Sequence, residues 1–152
     1  MNADKINFIH PNRNRKLMLV IDQIEESEKL LDWINNFKKQ TNFKWLALFG
    51  ESDLSEPYLN LLHEKFQVAE KLGAEKIFCL RTSDITTLLK IAEANNATHI
   101  ICSKSIKRRI RIFLSLKKIV KTLSIQNGEI DIFCLNADDD LKLNRIIFGR
   151  NN

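Results

Sequence analysis

Glycine and proline are scarce in this chain, four and two among 152 residues. With so few there is no low-complexity or linker-like tract. Long apolar runs are missing too. None approaches the roughly 18 residues that span a bilayer. The first residues, "MNADKINFIHPNRNR", hold no continuous apolar stretch of the kind a secretory signal needs. The expected setting is cytoplasmic, either alone or as the cytoplasmic domain of a membrane-anchored protein. Cys79, Cys102 and Cys134 have no CxxC spacing and no companion histidine pattern. All three fall in apolar, strand-like runs, so buried, reduced thiols are expected rather than a metal site or a disulfide. His10, His63 and His99 are scattered, with no ligand pair and no triad. No carboxylate pair has a context for acid–base work, and no Ser or Cys lies on a nucleophile elbow. No enzyme, and no cofactor, is expected.

What is present is a globular composition. Apolar residues make up 44% and charged residues 28%, enough for one domain with its own core. The net charge of +5 is concentrated. Lys104, Lys107, Arg108, Arg109, Arg111, Lys117, Lys118 and Lys121 lie together with no acidic residue among them. Setting those eight aside leaves a body of about −3.

Apolar runs and amphipathic stretches alternate. "KLMLVID" (16–22), "FKWLALFGE" (43–51), "EKIFCLRT" (75–82), "THIICSKS" (98–105) and "GEIDIFCLN" (128–136) read as buried strands. Between them, 26–40 carries Leu30, Trp33, Ile34 and Phe37 at helical spacing, with Ser27 or an earlier residue as a candidate cap. Residues 55–74 open on Ser55 and Pro57 and close on Gly73, with Leu59, Leu62, Phe66 and Ala69 as the inner stripe. A third helix fills 84–97, capped by Ser83 or Asp84. A fourth buries Ile112, Phe113, Leu116, Ile119, Val120 and Leu123. This order predicts an α/β fold, a five-stranded parallel sheet with helices on both faces. The domain is expected over 16–136, with 1–15 a flexible N-terminal segment and 137–152 a tail. In the tail, Leu141, Leu143, Ile146, Ile147 and Phe148 form an apolar group suited to an edge strand or to a partner.

"KLMLVID", "WLALFGES", "AEKLGAEKIFCL", "ATHIICSKSIKRR" and "GEIDIFCL" follow one another as in the universal stress protein fold. More narrowly, the chain from Arg15 to Leu135 resembles the universal-stress-protein-like domain of KdpD-type sensor histidine kinases. The resemblance implies strand order 3-2-1-4-5 and a ligand at the carboxyl ends of strands 1 and 4. It also implies a place in two-component signalling of potassium homeostasis or stress. ATP-binding relatives keep an acidic residue after the first strand, where Asp22 stands here. Their glycine-rich phosphate loop falls on Ser103, Ile106, Leu116 and Lys117, so its glycines are replaced. A β-branched residue such as Ile106 resists the φ > 0 that a phosphate cradle uses. Cyclic di-AMP is the other ligand the resemblance implies. Its aromatic motif is partly matched by Trp45, Leu46, Ala47, Leu48 and Phe49, but its serine positions hold Asp22 and Ile24. A carboxylate at Asp22 would repel the phosphate of this second ligand.

The stretch 104–111 reads either as a solvated basic surface loop or as an anion-binding one. In the second reading Asp22, Ser103, Lys104, Ser105, Lys107, Arg108, Arg109 and Arg111 form the candidate site, with side-chain cations in place of a backbone cradle. Its partner would be another domain of a sensor kinase or an anionic membrane surface. Nucleic acid is not favoured, because aromatics do not interleave with the cations. Three functions stay in view. One is a non-catalytic regulatory or sensory domain with a basic loop. Another is a nucleotide-binding stress protein with a degenerate phosphate loop. The last is a ligand-free module that forms a homodimer through the last strand, "EIDIFCL".

Overall fold

A computed structural model describes residues 15–39, 42–50, 55–80, 85–116, 130–135 and 141–142. Within them, β1 (Lys16–Ile21) lies at the centre of the sheet, between β2 (Lys44–Gly50) and β4 (His99–Cys102). Beyond β2 comes β3 (Ile77–Leu80), and beyond β4 comes β5 (Asp131–Leu135). These five strands are parallel, in the expected order 3-2-1-4-5. The tail adds one short antiparallel strand, β6 (Leu141–Lys142), on the outer edge of β5. The edge-strand expectation for the tail thus holds at Leu141. Leu143, Ile146, Ile147 and Phe148 lie outside the described residues, as does the 1–14 segment.

Both faces of the sheet are covered, which is why its central strands read as unbroken apolar runs. Side chains alternate along each strand. Leu17, Leu19 and Ile21 join Trp45, Ala47, Phe49, Ile101 and Phe133 on one face, under α1 (Ser27–Lys38) and α2 (Glu56–Lys71). Met18 and Val20 join Leu46, Leu48, Ile100, Cys102 and Ile132 on the other, under α3 (Ile85–Ala94) and α4 (Lys104–Leu116). α1 brings Leu30, Trp33, Ile34 and Phe37 to the core, with Trp33 stacked on Phe37 at 5.0 Å.

Ser27 does not cap α1. It is the helix's first residue, fully buried, and its hydroxyl donates back to the Ile24 carbonyl at 2.6 Å. The Ser27 backbone N–H donates to the same carbonyl and closes a 3₁₀ turn over Ile24–Glu26, so the cap position of α1 falls on the earlier residue Glu26. In α2, Ser55 holds the N-cap position and Pro57 sits in the first turn, as expected. Leu62 and Ala69, seven residues apart, define the buried stripe. Leu59 is 41% exposed rather than part of it. α2 packs on α1 and on β3, the strand at the sheet's margin, and Leu59 lies on the rim of the stripe beyond half-buried Phe66.

Two helices end in the same device. After α2, the Ala74 N–H donates to the Ala69 carbonyl and the Gly73 N–H to the Glu70 carbonyl, both at 3.0 Å, with Gly73 at φ 90°. After α3, Ala97 donates to Ala92 at 2.9 Å and Asn96 to Glu93 at 3.0 Å, with Asn96 at φ 58°. Both are Schellman closures. "AEKLGA" and "AEANNA" are the sequence forms, with a buried alanine leading each. The expected caps Ser83 and Asp84 at the start of α3 lie outside the described residues.

The largest departure is at α4. β4 ends at Cys102, and Ser103 alone separates it from the helix. There is no basic loop at 104–111: those residues are the first turns of α4. Ile106 and Ile110 are fully buried, and Phe113 packs against the same cluster. Their spacing of four and three sets the helix register. Ile112, one position off that stripe, is 51% exposed instead of buried. The rest of the expected stripe, Ile119, Val120 and Leu123, lies outside the described residues.

Gly73 tests the α2 closure. The Leu72 carbonyl beside it accepts from the Lys38 ammonium and, at 3.1 Å, from the Trp45 indole. A Cβ at position 73 would lie 2.7 Å from Lys38 Nζ and would also strain φ. Gly73→Ala should cost about 1–2 kcal/mol. Urea denaturation should show it as a lower midpoint at unchanged slope.

Candidate functional site

The carboxyl ends of β1 and β4 are neighbours because those strands pair directly. Asp22 follows the first and Ser103 the second. The two meet: Ser103 Oγ donates to Asp22 Oδ1 at 3.1 Å, across 81 positions of sequence. The same hydroxyl oxygen accepts from the Ile106 N–H at 3.2 Å. Ser103 is therefore the N-cap of α4, satisfying one of the helix's orphan donors. Its carbonyl accepts from the Lys107 N–H at 3.0 Å to close the first turn. Asp22 does not cap the 3₁₀ turn that follows it. Gln23 holds that position, with no side-chain cap bond.

The eight candidate residues divide into two groups. Asp22, Ser103 and Lys107 are inside, at 9%, 7% and 5% exposure. Lys104, Ser105, Arg108 and Arg111 are exposed, and Arg109 is half-buried between the groups. Helical geometry explains the division. Positions 104, 108 and 111 repeat by four and three on the outer side, while Lys107 lies on the side of Ile106 and Ile110. As a single anion-binding loop the eight do not converge.

The inner group sits among other titratable side chains that the sequence did not single out for this site. Burial pushes the Cys102 thiol far above its ordinary range. The neighbouring Cys134 thiol and the Asp22 carboxylate push the same way, and Lys107 opposes them. The Cys102 Sγ contacts the Phe133 carbonyl at 3.7 Å. Glu26 is held above the ordinary carboxylate range, first by burial and then by the charge of Asp22, against a smaller pull from Lys29. The signal for Glu26 was its place four residues after Asp22, on a turn that the sequence did not reveal.

At the positions matched to a phosphate loop, the chain offers no cradle. Ile106 is a helical residue with its side chain in the core. Leu116 ends α4, and Lys117 lies outside the described residues. The second-strand group Trp45–Phe49 is fully interior, so its aromatics form core rather than a stacking platform. Among the described residues, no three His, Cys, Asp or Glu side chains cluster to hold a metal ion. No helix there is long and apolar enough to cross a membrane. The outer edge of β5 is met by β6 at Cys134 and Leu135. None of the three cysteines is in a disulfide. Cys102 and Cys134 are buried as expected, but Cys79 is exposed, because β3 has a neighbouring strand on one side only.

Neither the protein-family models nor the curated proteins contain a match to this chain. What is established is the parallel α/β sheet of order 3-2-1-4-5, an architecture compatible with universal stress proteins and other Rossmann-like folds.

The thiols should titrate in two classes. With a colourless-to-yellow disulfide reagent, the native protein should release one equivalent quickly, and Cys79→Ser should abolish it. Cys102 and Cys134 should react only as the protein opens. Glu26 gives a pH prediction. Because its folded-state carboxyl binds its proton more tightly than the unfolded chain does, stability should fall as pH rises through the raised range. Glu26→Gln should melt slightly above the parent at pH 7. The gap should close as pH drops below the ordinary value of 4.5.

Proposed function

We propose that this chain is a non-catalytic regulatory domain of universal-stress-protein type, akin to that of KdpD-type sensor kinases. In this reading it acts on an anionic partner through the outer face of α4. The observation that carries the reading is the alignment of Lys104, Arg108 and Arg111, all exposed, on one side of a helix anchored by Ile106 and Ile110. A basic loop would have to order its side chains on binding. A helix packed into the core presents them already spaced, so less entropy is lost. Half-exposed Ile112 beside them adds a small apolar contact. The domain would then tune a kinase core, or hold it against an anionic leaflet, without chemistry of its own. The strand order is compatible with this family, and the finer assignment rests on the resemblance of the motifs between Arg15 and Leu135.

The test is binding of the full chain to phosphatidylserine vesicles and, separately, to an acidic polypeptide such as polyglutamate, at low and high salt. Binding to at least one should be present at low salt and weaken as salt rises. A Lys104/Arg108/Arg111→Ala variant should lose on the order of 100-fold in vesicle affinity, at ~1 kcal/mol per cation near an anionic surface. A variant that binds both probes as the parent does would remove α4 from the function.

A further inference from the structure

We infer that the whole α3–α4 layer, not α4 alone, lies flat on an anionic lipid leaflet, with Lys90 and Ile112 as further contacts. The inference rests on the reading of α4 given above and names its partner. It comes from a difference between the two sides of the sheet. α3 and α4 pack on each other and bury their inner sides in the same apolar cluster. Together they carry six cations and one acid, Glu93. On the opposite side, α1 and α2 carry five acids and four lysines. All five acids are exposed there, and two of the lysines are half-buried. One side of the sheet is thus strongly basic and the other mildly acidic.

The outward surfaces of the basic layer fit a plane. The inner stripe of α3 is Ile85, Leu88, Leu89 and Ala92, which leaves exposed Lys90 opposite it. On α4, exposed Arg108 and Ile112 are four residues apart, opposite the stripe of Ile106 and Ile110. Glu93 is half-buried, with one carboxylate oxygen wholly inside, so the layer's one acid is turned partly inward. An acidic peptide laid along α4 would meet Lys104, Arg108 and Arg111 and have no need of Lys90. A leaflet meets both helices at once, and its charge draws on every cation of the layer within a Debye length. Ile112 is 51% exposed among those cations. An apolar side chain ringed by Lys and Arg suits the boundary between headgroups and acyl chains. The acidic α1–α2 side then faces away from the leaflet, so one docked orientation is favoured.

Vesicles of phosphatidylserine and of phosphatidylcholine are the probes, with polyglutamate as the comparison, all at low salt. Of the two vesicles, the full chain should bind only the anionic one. Lys90→Gln should weaken that binding about fivefold, the effect of losing one cation near an anionic leaflet. Ile112→Ser should weaken it about fivefold as well and leave polyglutamate binding unchanged. Glu64→Gln, on the far side of the sheet, should change vesicle affinity by less than about twofold. Ile112→Trp should add an emission that brominated phosphatidylserine quenches, because Trp33 and Trp45 are buried. The inference is overturned if Lys90→Gln or Ile112→Ser binds vesicles as the parent does, or if the parent binds polyglutamate and not vesicles. Either result leaves the α4 reading standing so long as the Lys104/Arg108/Arg111→Ala variant still loses its binding. If the parent binds neither probe, both fall.

Discussion

Two hydroxyls pin the pairing of β1 with β4, and the rest of the molecule is arranged around that pinned pair. At the amino end, Thr98 Oγ1 accepts from the Lys16 N–H at 3.0 Å, while the Thr98 N–H donates to the Lys16 carbonyl at 2.8 Å. At the carboxyl end, Ser103 reaches Asp22. β4 is only four residues long, so these two side chains bracket it completely. Because Ser103 is also the whole connection to α4, the bracket sets where the helix begins. The helix start then decides which side chains face the sheet. Ile106 and Ile110 go in, Lys107 goes with them, and Lys104, Arg108 and Arg111 are left outside. The distribution of charge on this surface is thus a consequence of one short junction.

Placing Asp22 and Lys107 in the interior has an energetic cost. The effective penalty for burying an ion is several kcal/mol. Against it stand a hydrogen bond to a charged group, about 1.5–3 kcal/mol, and the favourable end of a helix, about 0.3–1 kcal/mol at an exposed site and up to ~2 when partly buried. Both gains act on Asp22 and neither on Lys107, so the corner is not a source of net stability. The large favourable term is elsewhere, in two apolar layers that bury both faces of β1 and β2.

Much of this was legible in the residues. Strands buried on both faces announce themselves as unbroken apolar runs, and Gly73 marks the end of α2 because few other residues tolerate its φ. Asp22 and Ser103 could be placed at the ends of adjacent strands from strand order alone. Their direct bond could not, since it depends on rotamers and on the exact start of α4. The start of α4 was hidden because cations crowd its first turns and resemble a loop, although Ile106 and Ile110 already carried the four-residue spacing. Including Ile112 in the stripe with Phe113 turned an exposed side chain into a supposed core one, while Phe113 packs on the core as read. Cys79 and Leu59 misled for another reason. Whether a strand or helix lies at the margin of a sheet is a fact of topology, and the local pattern around "IFCL" does not contain it.

A sheet of this order usually puts its useful surface at the winding reversal, and here Asp22 and Ser103 bond each other there. Eight cations fall in one segment of a sequence that is otherwise mildly acidic, and of the five on α4, Lys104, Arg108 and Arg111 are exposed together on its outer side. Cations so grouped would attract an anionic molecule over about a Debye length, ~10 Å at moderate salt. The residues behind that face cannot shift to follow the partner, because Ile106 and Ile110 are locked in the core. Recognition through α4 would therefore be rigid and salt-sensitive. Those properties follow from the same junction: α4 starts at Ser103, whose hydroxyl is held by Asp22 and caps Ile106, and that start fixes which cations face outward.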